Sequence, residues 1–262
     1  MEEKTYCAVL TGATGGIGRA IAAELVHRCR WLILVGRNLA ALQAMQAELG
    51  AHAIHIVHGD LLQEETLSKI ETLARGLGGI NLLVNNAGAS EFHAFESQRN
   101  EQIAQLLQTN LLAPMLLSRQ LIPLLRTSPR AQIVNIGSVF GSIGFPGFAA
   151  YCASKSGLRG FSQALRRELL DSRIEVRYFA PRATATPINS AAVQAMNMEL
   201  KTAEDSPAHV ARQLMHFLKD SRWERTLGLK ESFFILLNKL APALPDKAIL
   251  GQLPIIRKYL PK

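Results

Sequence analysis

Short apolar runs that alternate with helical segments constrain the fold of this chain more than any other feature. Six runs have the length and composition of β-strands: Thr5–Leu10, Trp31–Val35, Ala53–His58, Ile80–Val84, Gln132–Ile136 and Ile174–Phe179. The segments between them have the length and periodicity of helices: Ile17–Cys29, Leu39–Leu49, Glu64–Gly76 and Ser97–Arg126. Strands that alternate with crossover helices form a parallel sheet with helices on both faces. The pattern predicts an α/β fold with a doubly wound parallel sheet in three layers, α/β/α.

The domain organisation is simple, because no Pro/Ser-rich linker and no internal repeat interrupts the 262 residues. Beyond the sixth run the pattern weakens, and it indicates short helices over Ala191–Glu199 and Ser206–Lys219 and a seventh strand over Trp223–Gly228. We therefore expect one domain over residues 1–228, followed by a tail over residues 229–262.

The tail is apolar on a broad face between Lys230 and Leu244. A helix packed on the domain or on a partner subunit is favoured over a membrane anchor. Arg257, Lys258 and Lys262 keep a peripheral contact with a membrane surface open, because basic residues near an apolar face suit anionic lipids.

Composition and charge exclude some classes of function. The chain is 48% hydrophobic and 19% charged, which is typical of a globular protein. The net charge of +8 suits an anionic cofactor, an acidic carrier or a membrane surface. The basic residues are scattered without tracts or interleaved aromatics, so we expect no nucleic-acid partner. The chain has no uncharged run of about 18 apolar residues, so we expect no membrane-spanning helix.

The cysteines and the N-terminus bear on the compartment. Cys7, Cys29 and Cys152 have neither paired nor metal-ligand spacing, which favours a reducing compartment and no metal site. The first residues, Met1–Lys4, are polar and do not resemble a secretory signal. We expect a cytoplasmic protein.

A glycine-rich turn, Thr11–Gly18, joins the first strand to the first helix. Glycines allow a sharp turn close to a pyrophosphate, and the helix N-terminus offers free amide donors. The glycine spacing differs from the common dinucleotide fingerprint, but the position after the first strand of a βαβ unit supports cofactor binding. The candidate contacts are Gly12, Thr14, Gly16, Ile17 and Gly18.

The residues after the next two strands bear on the choice of cofactor. Arg37 stands where an acidic residue would bind the ribose of NAD, and an arginine there suits the 2′-phosphate of NADP. The alternative is a surface arginine at a strand end. Asp60, followed by Leu61, would accept the adenine amino group or cap a helix. We predict NADP(H), with NAD(H) less favoured.

Tyr151 and Lys155 lie four residues apart, which places a phenol beside an ammonium on one helical face. A neighbouring cation favours the phenolate, so a carbonyl or alcohol nearby would have a proton donor or acceptor. Alone the pair indicates little, because most such pairs lie on solvated helix faces.

Taken together, these residues resemble the short-chain dehydrogenase/reductase family over most of residues 5–220. The resemblance is carried, in chain order, by the glycine-rich turn, Asn85-Asn-Ala-Gly88, Asn110, Ser138 and Tyr151-x-x-x-Lys155. It implies a Rossmann-type fold and hydride transfer between a nicotinamide and a carbonyl carbon, coupled to proton transfer through Tyr151.

The resemblance also implies a role for each catalytic candidate. Ser138, otherwise a turn or cap serine, would orient and polarise the carbonyl. Lys155 would lower the pKa of Tyr151 and bind the nicotinamide ribose. Asn110, otherwise a solvated or bending residue, would hold a water that links Lys155 to solvent.

The turn after the fourth strand would brace the sheet and flank the adenosine through Asn86, Ala87 and Gly88. Its local chemistry alone indicates a turn of residues that tolerate the left-handed region.

The chain departs from the family after the sixth strand, where Pro181 is followed by Arg182 instead of glycine. Pro181 and Thr186 still align with cofactor contacts of the family. Arg182 excludes an easy positive φ and adds a cation. It would contact a phosphate or an acidic substrate group, although a solvent-facing arginine is favoured.

We therefore expect an NADPH-dependent reductase of a hydrophobic ketone, with 3-oxoacyl thioesters on an acyl carrier as the leading substrate. A hydroxysteroid or small ketone is the alternative substrate, and a non-catalytic NADP sensor is the alternative function. The family implies a homodimer or homotetramer through Ser97–Arg126 and Ala149–Leu170.

Overall fold

A computed structural model describes residues 5–50 and 53–261. Seven parallel strands form one sheet in the order β3-β2-β1-β4-β5-β6-β7. The strands are β1 Tyr6–Thr11, β2 Cys29–Gly36, β3 Ile54–His58, β4 Leu82–Asn85, β5 Ala131–Ile136, β6 Ile174–Ala180 and β7 Glu224–Thr226. The predicted parallel sheet is confirmed, and Met1–Lys4 and Lys262 lie outside the described residues.

Helices cover both faces of the sheet. They are α1 Gly16–Leu25, α2 Leu39–Leu49, α3 Glu64–Gly76, α4 Asn100–Leu107, α5 Ala113–Leu125, α6 Ala149–Glu168, α7 Ala191–Glu199, α8 Pro207–Leu218, α9 Leu229–Leu240 and α10 Ala243–Tyr259. Buried apolar residues of α1, α2 and α8 pack on one face, and those of α3, α5 and α6 pack on the other. This is the predicted α/β/α arrangement, because strands buried on both faces need a helical layer on each side.

The strand order reverses at β1, which pairs with β2 on one side and β4 on the other. At such a point the following connections leave in opposite directions and open a crevice at the carboxyl ends of the strands. Thr11 and Asn85, at the ends of β1 and β4, lie at this crevice.

The segment predicted as one long helix over Ser97–Arg126 is interrupted. A π-helical turn over Gln108–Leu112 separates α4 from α5 and contains the buried Asn110. Burial of this amide and its hydrogen bonds to neighbouring backbone favour the wider turn, which periodicity alone does not reveal.

The tail forms two helices instead of the one predicted over Lys230–Leu244. Helix α9 ends at Leu240, because Pro242 follows and cannot continue the hydrogen-bond ladder. Helix α10 was not predicted, and its Ile256 is fully buried beside Val193 and Met196 of α7. Across residues 5–50 and 53–261, no helix has the length and apolar character needed to cross a membrane.

Candidate active site

A cavity of about 750 Å³ lies at the carboxyl ends of the strands. It gathers every candidate site residue except Asn110, which lies just behind its wall. The residues that line it are Gly12, Thr14, Gly16, Ile17, Gly18, Arg37, Asp60, Leu61, Asn86, Ala87, Gly88, Ser138, Tyr151, Lys155, Pro181 and Thr186. Residues spread between positions 12 and 186 therefore meet at one edge of the sheet.

The glycine-rich turn requires glycine for steric reasons. Gly12 has φ +61°, and a Cβ there would lie 2.7 Å from the Cα of Ala87. A Cβ on Gly18 would lie 2.1 Å from the Gly12 carbonyl oxygen. Helix α1 begins beside the cavity, and its N-cap residue, Gly15, supplies no side-chain acceptor. The first-turn amides thus form a positive helix end suited to an anion.

Thr11 ties this turn to the end of β4, a role that the sequence analysis did not assign. Its hydroxyl accepts hydrogen bonds from the backbone N–H groups of Asn86 and Ala87, both at 3.0 Å. In return, the Asn86 amide donates to the Thr11 and Gly12 carbonyls at 3.0 and 3.1 Å. The bracing function expected of this turn is therefore visible in its contacts.

A buried row of polar side chains crosses the sheet below the cavity. Asn85 Nδ2 donates to Asn135 Oδ1 at 2.8 Å and to Ser118 Oγ at 3.1 Å, and Asn135 Nδ2 donates to Ser162 Oγ at 2.8 Å. Sequence reasoning missed Asn135 and Ser162. A polar residue inside the apolar run of β5 was the available signal, since a buried amide needs partners.

Asn110 acts as a clamp on the backbone after β4. Its Oδ1 accepts from Ala89 N–H at 2.8 Å, and its Nδ2 donates to the Ala89 carbonyl at 2.9 Å and to Ser154 Oγ at 3.0 Å. Ser154 Oγ in turn donates to the Tyr151 carbonyl at 2.7 Å. The interpretation as a solvated residue is wrong, because Asn110 is fully buried.

Lys155 is buried, with its Nζ 3.0 Å from the Ile136 carbonyl that it donates to. Burial lowers the pKa of this ammonium to about 8, because a charge is poorly solvated inside the protein. Nζ lies 5.9 Å from the centre of the Tyr151 ring. A Cβ on Gly88 would lie 3.5 Å from Nζ and 3.3 Å from Asn110 Oδ1, so both polar groups face this glycine.

Burial raises the pKa of the Tyr151 phenol to about 12, and a hydrogen bond with the Ser138 side chain lowers it by a smaller amount. The sequence led us to expect that Lys155 lowers the pKa of Tyr151, but Lys155 is not among the described groups that shift this pKa. Desolvation of the phenolate is the largest influence on this pKa, and the Lys155 ammonium is directed at the Ile136 carbonyl.

Ser138 has the turn-capping role considered for it and also contacts Tyr151. Its hydroxyl accepts from Phe140 N–H at 3.1 Å, which caps a short 3₁₀ turn over Val139–Gly141, and it also bonds Tyr151. Tyr178, missed by sequence reasoning, packs beneath it. A Cβ on Gly137 would lie 2.0 Å from the Tyr178 ring, so the turn after β5 needs a glycine there.

Arg37 and Asp60 lie at the other end of the cavity. The Arg37 side chain is exposed at the end of β2. Asp60 Oδ1 accepts from Leu62 N–H at 3.0 Å, so it caps a turn. The helix-cap interpretation of Asp60 is wrong, because Gln63 is the residue that precedes α3.

Aromatic side chains surround the substrate side of Tyr151, and sequence reasoning did not identify them. Phe140 and Phe145 stack with ring centres 5.1 Å apart, and Phe148 lies 6.1 Å from the Tyr151 ring. All three line the cavity. The cavity is therefore polar near the glycine-rich turn and apolar beside the phenol.

Comparison with known proteins identifies the family. A family model described as short chain dehydrogenase matches residues 6–197, which is more than half of the chain. The chain belongs to the short-chain dehydrogenase/reductase family. It is accordingly an NAD(P)-dependent oxidoreductase.

Characterised relatives of this dehydrogenase are similar over two thirds of its length. The chain is 35% identical over 179 residues to the 3-oxoacyl-[acyl-carrier-protein] reductase FabG of Haemophilus influenzae, covering 68% of this chain and 74% of the relative. It is 36% identical over 175 residues to a Bos taurus 3-oxoacyl-[acyl-carrier-protein] reductase, covering 67% and 73%.

Solved structures share the fold over nearly the whole chain. A short-chain dehydrogenase from Sphingobium yanoikuyae in complex with NADPH has a TM-score of 0.77 and 27% identity, covering 91% of this chain and 95% of that one. A Burkholderia phymatum short chain dehydrogenase/reductase in complex with NAD has a TM-score of 0.83 and 20% identity, covering 94% and 96%. The Rossmann-type fold is thus shown.

Arg182 has a structural role that was not predicted from the sequence. Its guanidinium makes a two-pronged contact with the buried Asp205, at 3.0 and 2.8 Å, and lies 3.6 Å from Glu231 of α9. It therefore links the loop after β6 to the segment before α8 and to the tail. The favoured solvent-facing interpretation is wrong, because the side chain is only 26% exposed and is paired.

We expect Arg182→Ala to destabilise the protein by about 1–3 kcal/mol, since it leaves the carboxylate of the buried Asp205 without this partner. Urea denaturation measures this change. Arg222→Ala removes an exposed arginine from Asp220 and serves as the matched control, for which we expect a change below about 1 kcal/mol. Equal losses in both variants would contradict the linking role.

Proposed function

We propose that this dehydrogenase uses NADPH to reduce a hydrophobic ketone to an alcohol, with Tyr151 as the proton donor. The observation that carries the proposal is the contact of the Tyr151 phenol with Ser138, beside a buried Lys155 and at the junction of the polar and apolar parts of one cavity. Such a junction allows a cofactor and an apolar carbonyl to meet at the phenol.

The residues present fit a nicotinamide dinucleotide. The uncapped N-terminus of α1 and the close-packed turn at Gly12 would hold the pyrophosphate. Asp60 would bind the adenine, and Pro181 and Thr186 would lie beside the nicotinamide. Arg37, exposed at the rim of the cavity, would pair with a 2′-phosphate, which supports NADPH over NADH.

The bound cofactor supplies a hydride to the carbonyl carbon. Ser138 would orient the carbonyl oxygen, and Tyr151 would donate its proton to that oxygen as the alcohol forms. Lys155 would hold the ribose and stabilise the phenolate left behind. Asn110 would fix the backbone around Ala89 and, with a remaining lone pair on Oδ1, bind the water that returns the proton.

The raised pKa of Tyr151 bears on how each direction of the reaction would depend on pH. With a pKa raised to about 12, the phenol carries its proton at neutral pH and is ready to donate it. Oxidation of an alcohol would require the phenolate first. We therefore expect oxidation to become faster at alkaline pH, while reduction runs at neutral pH.

We propose a 3-oxoacyl thioester as the substrate. Phe140, Phe145 and Phe148 give the substrate side an apolar wall, and two similar proteins are named as 3-oxoacyl-[acyl-carrier-protein] reductases. The net charge of +8 would favour an acidic carrier protein. A dimer or tetramer through α4–α6 is part of the proposal, supported by the exposed Leu107 and Leu112.

A substrate panel tests the proposal. Purified protein with NADPH is mixed with one of three kinds of carbonyl compound: 3-oxoacyl thioesters of increasing chain length, a ketosteroid, or small ketones. The decrease in NADPH absorbance is followed. We expect kcat/KM to be highest for the thioesters and to rise with chain length. Tight NADPH binding without turnover of any carbonyl would instead indicate a sensor.

The cofactor preference is tested at Arg37. We expect Arg37→Asp to weaken NADPH binding by about tenfold to a hundredfold, because a charge-assisted pair becomes a repulsion. NADH binding should change much less, since NADH lacks the 2′-phosphate. Fluorescence titration measures both, and Arg19→Asp, an arginine of α1 paired with Glu48, is the control. An equal loss for both cofactors would contradict the assignment.

A further inference from the structure

Helix α9 presents an apolar stripe to solvent. The stripe consists of Leu229, Phe233, Leu236 and Leu240, spaced four, three and four residues apart and therefore aligned on one helical face. Their exposed fractions are 92, 62, 53 and 75%. A helix packed on a globular domain normally turns its apolar face towards the core, so this orientation is unusual.

The opposite face of α9 is held to the domain largely by polar contacts. Glu231 lies 3.6 Å from the Arg182 guanidinium, and Asn238 Nδ2 donates to the Ser142 carbonyl at 3.2 Å. Ile235 is the buried side chain of this helix. The anchoring contacts fix which face points outwards, so the stripe cannot turn inwards without breaking them.

Basic side chains flank the stripe. Lys230 and Lys239 are exposed and lie about a quarter turn to either side of it. Across the sequence of the tail, 229–262, the basic residues Lys230, Lys239, Lys247, Arg257, Lys258 and Lys262 outnumber the acidic Glu231 and Asp246. An apolar stripe between two lysines is the arrangement of a helix lying in a membrane interface.

We propose that the stripe docks on the surface of an anionic lipid bilayer, with α9 in the plane of the interface. Lys230 and Lys239 would reach the acidic headgroups while the stripe enters the acyl boundary. A second copy of this chain fits less well, because its stripe has the same basic flanks and lacks the negative charge that an anionic bilayer supplies.

Docking would place the cavity close to the lipid. Glu231, on the inner face of α9, lines the cavity, and the Ser142 carbonyl that binds α9 follows the wall residue Phe140. Docking on lipid does not depend on the proposed reaction, because vesicle binding is measured without a substrate and without turnover.

Vesicle co-sedimentation tests the proposal with the full chain. We expect binding to vesicles of equal parts phosphatidylcholine and phosphatidylglycerol, and binding at least about tenfold weaker to pure phosphatidylcholine, since each lysine near an anionic surface contributes. Phe233→Ser with Leu236→Ser should weaken binding by about a hundredfold, and Lys230→Glu with Lys239→Glu should remove the preference for anionic lipid.

The matched control is Leu39→Ser with Leu170→Ser, which removes two exposed leucines outside the tail and should bind like the unaltered protein. NADPH binding of every variant reports whether the domain is folded. The proposal fails if the unaltered protein does not bind anionic vesicles. It also fails if the stripe variant binds as well as the control, or if the stripe instead holds a dimer together in analytical ultracentrifugation.

Discussion

Tyr151→Phe should reduce the rate of carbonyl reduction by about 10²–10⁴-fold, because it removes the proposed proton donor and little else. Its ring packs against Phe140 and Phe148, and phenylalanine preserves those contacts. We therefore expect the melting temperature and the NADPH dissociation constant to stay close to those of the unaltered protein. Stopped-flow measurement of NADPH oxidation separates the chemical step from product release.

Tyr6→Phe is the matched control for this variant, since Tyr6 begins β1 and lies away from the strand ends that form the cavity. Its rate should be unchanged. If Tyr151→Phe kept the rate of the control on the best substrate, another group would have to donate the proton, and the mechanism proposed here would be wrong.

Lys155→Met should reduce turnover by about 10²–10³-fold while leaving stability at neutral pH nearly unchanged. The turnover loss follows from removing the cation that stabilises the phenolate. Two stability effects oppose each other. Removing the buried ammonium should raise the free energy of unfolding by about 3 kcal/mol, since burial lowers its pKa from 10.5 to about 8. Losing the hydrogen bond to the Ile136 carbonyl should lower the free energy of unfolding by about 1–3 kcal/mol.

The pH dependence of stability distinguishes this account. Because the pKa of Lys155 is lower in the folded state, the unfolded chain binds the extra proton between about pH 8 and 10.5, and the free energy of unfolding gains a contribution as pH rises. That contribution is absent below about pH 8. Urea denaturation of Lys155→Met should lack the rise of about 3 kcal/mol, whereas Lys69→Met, an exposed lysine of α3, should keep it. Parallel pH profiles in all three proteins would contradict the burial of an ionisable Lys155.

The sequence was sufficient for the layout of the domain. Strand-like runs and helical periodicity are local properties, so β1 to β6 and most helices could be placed from the chain alone. The glycine-rich turn was also readable, because a steric requirement at Gly12 or Gly18 allows one residue type. The family resemblance brought together candidates that lie far apart in the chain, and the cavity gathers all of them but Asn110.

Tertiary structure decided the ion pairs, hydrogen bonds and pKa shifts that involve residues far apart in the chain. The pairing of Arg182 with Asp205 and Glu231 could not be predicted from the sequence. The same holds for the hydrogen bond from the Lys155 ammonium to the Ile136 carbonyl of β5. Burial reversed the expected pKa change of Tyr151, because the desolvation cost of a phenolate depends on everything packed around it.

The same contrast holds for the tail. Its apolar character was evident from the sequence, but periodicity does not say which face of a helix points inwards. The contacts of Glu231 and Asn238 fix that orientation and leave Phe233 and Leu240 in solvent. The sequence by itself thus determined the fold, the family and the candidate catalytic groups. Only the packing of distant segments decided the direction in which the pKa of Tyr151 and of Lys155 shifts and the surface that the tail presents, since burial and pairing are properties of the folded whole.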